Sequence, residues 1–87
     1  MAKEHVLDVR GEDCPAPMVK VVRKIARIPE GDRLKVLTDI EECVRLIRET
    51  VEAIELEVEV RDTGKGYWEM IIEKNLARPR LPVGRDA

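Results

Sequence analysis

This chain has no phenylalanine, serine or glutamine, a single asparagine (Asn75), a single histidine (His5) and two cysteines, Cys14 and Cys43. Its aromatic residues are Tyr67 and Trp68 alone, too few for the stacking platform of an RNA-binding sheet. Two cysteines and one histidine cannot supply four soft ligands, and their spacing matches no zinc pattern. A structural zinc site is therefore excluded for one chain, and neither a metal nor a dissociable cofactor is expected. No apolar run exceeds a few residues, which excludes a helix that spans a membrane. The opening Met1-Ala2-Lys3-Glu4-His5 is too polar to start a secretory signal, so a cytoplasmic protein is expected. An excess of positive charge is missing too: 16 Lys and Arg against 18 Asp and Glu leave a net charge of -2, and direct nucleic-acid binding is not expected. The scarcity of Asn and Gln beside abundant Glu, Arg and Lys is a balance found in hyperthermophile proteins, and thermal stability is an expectation.

What is present fits one small domain, since 87 residues with 44% hydrophobic content support a single core and no deep enclosed cavity. His5 to Arg10 alternates as a half-buried strand with Leu7 and Val9 on one side, and Gly11 breaks it. From Pro17 to Ile28, Met18, Val21, Val22, Ile25 and Ile28 recur at helical spacing opposite Lys20, Arg23, Lys24 and Arg27. A turn at Pro29-Glu30-Gly31-Asp32 leads to a second strand, Arg33 to Leu37. A second helix follows, with Thr38/Glu41 or Asp39/Glu42 at capping-box spacing and a stripe of Ile40, Cys43, Val44, Ile47, Val51 and Ile54. Glu55 to Arg61 alternates with Leu56, Val58 and Val60 inward and glutamates outward, and Asp62 to Gly66 turns the chain into a last strand from Tyr67 to Lys74. Those outward glutamates imply that one sheet face is wet and that both helices cover the other. The expectation is a two-layer α/β sandwich, β-α-β-α-β-β, with a four-stranded mixed sheet and two helices on one face. Residues 1–74 form the domain, and 75–87, rich in Pro and Arg without periodicity, are expected to be a flexible tail.

Chemistry concentrates at Asp13-Cys14-Pro15-Ala16-Pro17, where strand gives way to helix. Proline suits a helix start, because its φ is pre-set and its missing N–H has no partner there. Cys14 thus falls at the N-cap or just before it, where free N–H groups and the positive end of the helix favour a thiolate. Lys20, Arg23 and Lys24 add to that tendency while Glu12 and Asp13 oppose it, so a moderately activated, exposed thiol is expected. Cys43, on the apolar stripe, reads as inert core packing. His5 lies about 30 Å of extended chain before Cys14 and is no candidate base for it. Charge is uneven: Lys20 to Lys35 carries six bases against two acids, so the first helix forms a basic face that can steer acidic partners.

The run Leu7-Asp8-Val9-Arg10-Gly11, then Cys14-Pro15-Ala16-Pro17, in a β-α-β-α-β-β chain of this length, resembles the TusA family of SirA-like or YedF-like sulfur carriers across residues 5 to 74. Asp39, after the second strand, looks like the family's acidic loop. The resemblance implies that Cys14 accepts sulfane sulfur as a persulfide from a cysteine desulfurase or other donor protein and relays it to an acceptor protein. The pathways it implies are tRNA thiolation, cofactor synthesis or sulfur metabolism, and it makes the chain a sulfurtransferase by relay rather than an enzyme with a small-molecule pocket. Gly11, Asp13, Pro15 and Pro17 then support the motif, and Lys20, Arg23, Lys24 and Arg27 are the expected docking residues. Glu12 departs from the family's usual apolar residue. A monomer is expected. Two other readings stay open: a small regulatory or RNA-binding module, and a redox thiol protein that pairs Cys14 with Cys43, which requires their Cα atoms within about 7 Å.

Overall fold

A computed structural model describes residues 3–74, and the segment read as a tail lies outside them. The strands are β1 (Glu4–Asp8), β2 (Arg33–Thr38), β3 (Glu57–Asp62) and β4 (Trp68–Glu73), with α1 (Ala16–Arg27) between β1 and β2 and α2 (Glu41–Ala53) between β2 and β3. The sheet order is β1-β2-β4-β3; β1 and β2 run parallel, while β4 lies antiparallel to both β2 and β3. This is the mixed sheet with two helices that the alternation and helical spacing imply.

Pairing fixes which side chains share a face. Leu34 lies opposite Ile72, Val36 opposite Met70 and Val58 opposite Ile72, so these point together toward the helices. Val21, Ile25 and Ile28 of the first helical segment, and Cys43, Ile47 and Val51 of α2, close the core on them. The other face carries Lys35, Glu59, Arg61 and Glu69, where Arg61 reaches Glu59 at 3.3 Å and Glu69 at 3.6 Å. One wet face needs no second helical layer.

Local details differ from the sequence reading in five places. Pro17 is buried rather than merely helix-starting, and Val22, placed on the apolar stripe, is 39% exposed because Val21 and Ile25 already occupy the line that meets the sheet. Ile54 is 45% exposed, since α2 ends one residue before it. Neither capping box forms: Ile40 is the N-cap, the Thr38 hydroxyl accepts the Ile40 N–H at 3.4 Å, and Asp39 is drawn to the first loop instead. The third strand begins at Glu57 rather than Glu55, because Glu55 terminates α2 in the left-handed region with φ 66. Glu55 N–H donates to the Glu52 carbonyl and Leu56 N–H to that of Val51, the paired bonds of a Schellman ending, with Leu56 tucked into the core.

Candidate functional site

Parallel neighbours present their following loops at the same edge of a sheet. The C-terminal ends of β1 and β2 therefore bring together the start of α1 and the start of α2, and with them the two cysteines. Val9 extends the pairing by donating its N–H to the Leu37 carbonyl at 2.9 Å, and is itself fully buried. The chain then turns through Gly11, whose φ of 83 suits a residue without a Cβ. Its N–H donates to Asp39 Oδ1 at 2.8 Å, which clasps the first loop to the end of β2. The acidic residue singled out after β2 thus acts as a tie between loops.

Charged neighbours brace the same loop. Arg10 donates from Nε and Nη2 to the two Asp8 carboxylate oxygens at 2.9 and 2.8 Å, and this pairing holds the Asp8 carboxyl down at about 2. The Arg10 guanidinium also stacks over the Tyr67 ring, 4.7 Å from its centroid. Glu12 accepts from Lys20 Nζ at 2.8 and 3.0 Å, so that lysine's charge is partnered within the loop's own neighbourhood. Asp13 is exposed, as are Arg23 and Arg27, while Lys24 is half-buried.

Cys14 is half-buried just ahead of α1, whose N-cap is Pro15, with Pro17 inside the first turn. The peptide bond between Cys14 and Pro15 is cis. The first turn of α1 carries no acidic side chain, so the positive end of this helix, next to Cys14, meets no opposing charge from the helix itself. Cys14 and Cys43 are joined by a disulfide, with Cα atoms 5.5 Å apart and a sequence separation of 29. Cys43 is not inert packing. It remains fully buried, as its place on the α2 stripe requires, yet meets the second sulfur without leaving the core because the Cys14 side chain turns inward onto it. The separation lies within the limit that the redox reading needed.

Beside this pair lies an open groove of about 340 Å³ lined by Cys14, Pro15, Glu42, Arg45, Leu46 and Glu49. Its wall is α2, not the basic face of α1. These α2 residues fall at i, i+3, i+4 and i+7, a helical stripe that the sequence displays but that ordinary solvated polarity also explains. Arg45 is the groove's cation and has no ion-pair partner among the described residues. A larger depression of about 550 Å³ sits elsewhere, lined by Glu52, Leu56, Glu57, Val58, Glu59, Ile71 and Glu73, and offers no nucleophile. Among the described residues no group of three or more His, Cys, Asp or Glu is placed to hold a metal ion, and no helix is long and apolar enough to cross a membrane. His5 sits at the opposite end of β1, with Nε2 2.8 Å from Asp32 Oδ2.

Known proteins are similar to this chain in sequence and fold. A family model described as "Sulfurtransferase TusA" matches residues 5–74. A protein of Thermotoga maritima named "Putative sulfur carrier protein" is 38% identical over 77 residues, covering 84% of this chain and 98% of its own. One of the same name from Archaeoglobus fulgidus is 36% identical over 71 residues, covering 80% and 81%. In fold, the crystal structure of a SirA-like protein from Desulfitobacterium hafniense superposes with a TM-score of 0.75 at 22% identity, over 80% of this chain and 96% of that one.

Proposed function

The chain belongs to the TusA sulfurtransferase family, and on that premise we propose that it is a sulfur carrier whose working group is the Cys14 thiol. The observation that carries this reading is the position of Cys14: half-buried, lining an open groove, directly before the N-terminal end of α1. A helix N-terminus favours negative charge, which suits both a thiolate and a persulfide anion.

In the reduced chain, the Cys14 thiolate attacks the outer sulfur of a donor protein's persulfide, and the donor thiolate leaves. Cys14 then holds the cargo as Cys–S–SH. Delivery repeats the exchange, with an acceptor protein's cysteine attacking the outer sulfur. The open groove suits approach by another protein better than enclosure of a small substrate. Gly11, through its bond to Asp39, and Pro15 with Pro17, at the helix start, hold the loop that presents the sulfur. Arg23, Lys24 and Arg27 offer a basic approach to acidic donors or acceptors, with Lys20 tempered by Glu12. Candidate acceptors are the protein components of tRNA thiolation, cofactor synthesis and sulfur metabolism.

The test uses chain reduced beforehand, freed of reductant and given a cysteine desulfurase with ³⁵S-labelled cysteine. The Cys43→Ser chain should take up label that a thiol reductant removes, and Cys14→Ser should take up none. Label retained by Cys14→Ser, or none on either chain, contradicts the reading. The Cys14–Cys43 bond supports a second reading, a thiol redox protein, which predicts reversible oxidation without any sulfur uptake.

A further inference from the structure

We propose that Cys43 is a resolving cysteine that attacks the Cys14 persulfide and releases its outer sulfur as hydrosulfide. The proposal rests on the carrier reading of Cys14 and adds a second outcome for the same cargo, reductive release in place of handover.

Three observations carry it. The two cysteines are within bonding reach, as their disulfide shows, with Cα atoms 5.5 Å apart. Their accessibility is unequal: Cys43 is fully buried, whereas Cys14 lines the groove. A donor protein therefore reaches Cys14 and not Cys43, so sulfur enters at one cysteine and the other acts only on its neighbour. The third observation is what surrounds them. Cys43 is the third residue of α2, so its sulfur, like that of Cys14, lies near the N-terminal end of a helix. Its Sγ is 3.9 Å from the Glu12 carbonyl, which in the reduced chain can accept a hydrogen bond from the thiol and hold the sulfur toward the loop.

The step balances without an outside oxidant. The Cys43 thiol gives up its proton as its sulfur attacks Cys14 Sγ, the inner sulfur of the persulfide. The Cys14 Sγ–outer sulfur bond breaks, its electron pair goes to the outer sulfur, and that sulfur leaves with the proton as hydrosulfide. One thiol and one persulfide anion become one disulfide and one hydrosulfide ion. Displacement at sulfur is in line, so the leaving atom lies on the side of Cys14 Sγ away from Cys43, toward the groove. Arg45, which lines the groove and has no ion-pair partner among the described residues, is the cation that meets the departing anion. The resulting disulfide is the state seen in the structure. A dithiol reductant resets it: one of its thiolates attacks Cys14, the exposed partner, and displaces Cys43, and its second thiolate frees Cys14 as the reductant becomes a disulfide.

The test employs a desulfurase already loaded with persulfide and cleared of free cysteine, mixed without oxygen with reduced chain, followed by hydrosulfide assay and intact mass. The unaltered chain should release one hydrosulfide per chain and end two hydrogens lighter than its reduced form. Cys43→Ser, and Cys43→Ala should the serine variant fold poorly, should keep a one-sulfur adduct and release hydrosulfide at least roughly tenfold more slowly. An unaltered chain that keeps its adduct and forms no disulfide overturns the proposal, as does equal release from the Cys43 variants. Absence of both adduct and hydrosulfide in every chain overturns the carrier reading itself, and this one with it.

Discussion

The two ends of the parallel β1–β2 pair are built from the same materials and put to opposite uses. At the end where these strands begin, Asp32 is buried and saturated: Oδ1 accepts the Lys3 N–H at 3.0 Å and Oδ2 lies 2.8 Å from His5 Nε2. Gly31 and Asp32 exchange backbone bonds with Lys74, whose Nζ donates to the Ile28 carbonyl at 2.8 Å. The Asp32 carboxylate and the Lys74 ammonium there are both turned onto partners within the chain. At the end where the strands finish, the loops are clasped by the Gly11–Asp39 bond and by the cysteine pair, and a half-buried Cys14 lines an open groove. The sole histidine, the residue most often recruited for proton transfer, sits in the closed end, and the chemistry of the open end rests on sulfur and helix termini. The lesson is that a polar cluster marks a site only when some of its valence is left for a visitor.

The sharpest way to break this comparison is to alter each end in turn, in a Cys43→Ser chain that keeps its cargo, and measure sulfur loading. Cys14→Ser should abolish loading, while Asp32→Asn should leave loading per folded molecule unchanged to within about twofold and lower only the melting temperature. Loss of loading in Asp32→Asn would erase the distinction. In the shared core, Ile47→Ala removes a fully buried side chain and should cost about 2 to 5 kcal/mol by denaturant titration, irrespective of which end is probed. Asp39→Ala should cost about 1 kcal/mol and slow loading, because it frees the loop that presents Cys14; an unchanged rate would mean that the loop is held by other contacts.

Acid separates the two ends more gently. Asp32 titrates below its usual value because of His5 and then the Lys3 N–H, and Asp8 is held down to about 2 by Arg10. A carboxyl with a lowered folded-state pKa adds stability that is complete above the usual value of 3.8 and fades as pH falls through its folded value. Stability against pH should therefore decline in acid for the unaltered chain, and Asp32→Asn should flatten part of that decline; an identical profile would contradict the assignment. The smallest effect expected is a gain. Glu55 occupies the left-handed region at the α2 terminus, so Glu55→Gly should stabilise by about 0.5 to 1 kcal/mol without touching sulfur chemistry.

Most of the architecture is legible in the sequence because each element has a clean period. Leu56, Val58 and Val60 alternate, Val21, Ile25 and Ile28 recur at helical spacing, and Pro15 with Pro17 marks a helix start beside Cys14. Periodicity identifies a face but not how far its partner reaches, which is why Val22 and Ile54 read as core and stand exposed. Asp39 has a local option as a cap with Glu42 and instead accepts the Gly11 N–H, 28 residues away. Cys43 is the instructive case. Its position on an apolar stripe correctly signals burial, but burial does not mean inertness, and a sequence separation of 29 conceals that parallel strands deliver both loops to one edge. The groove residues Glu42, Arg45 and Glu49 carried no signal beyond that of a solvated helix.

The central claim is that sulfur is held on Cys14, and peptide mapping tests it most directly. The Cys43→Ser chain, loaded from a persulfide donor and trapped at once with an alkylating reagent, should yield the peptide that contains Cys14 carrying one additional sulfur, with none elsewhere and none after reduction. Sulfur found on any other residue, or a Cys14 peptide alkylated only as the plain thiol, would contradict the account.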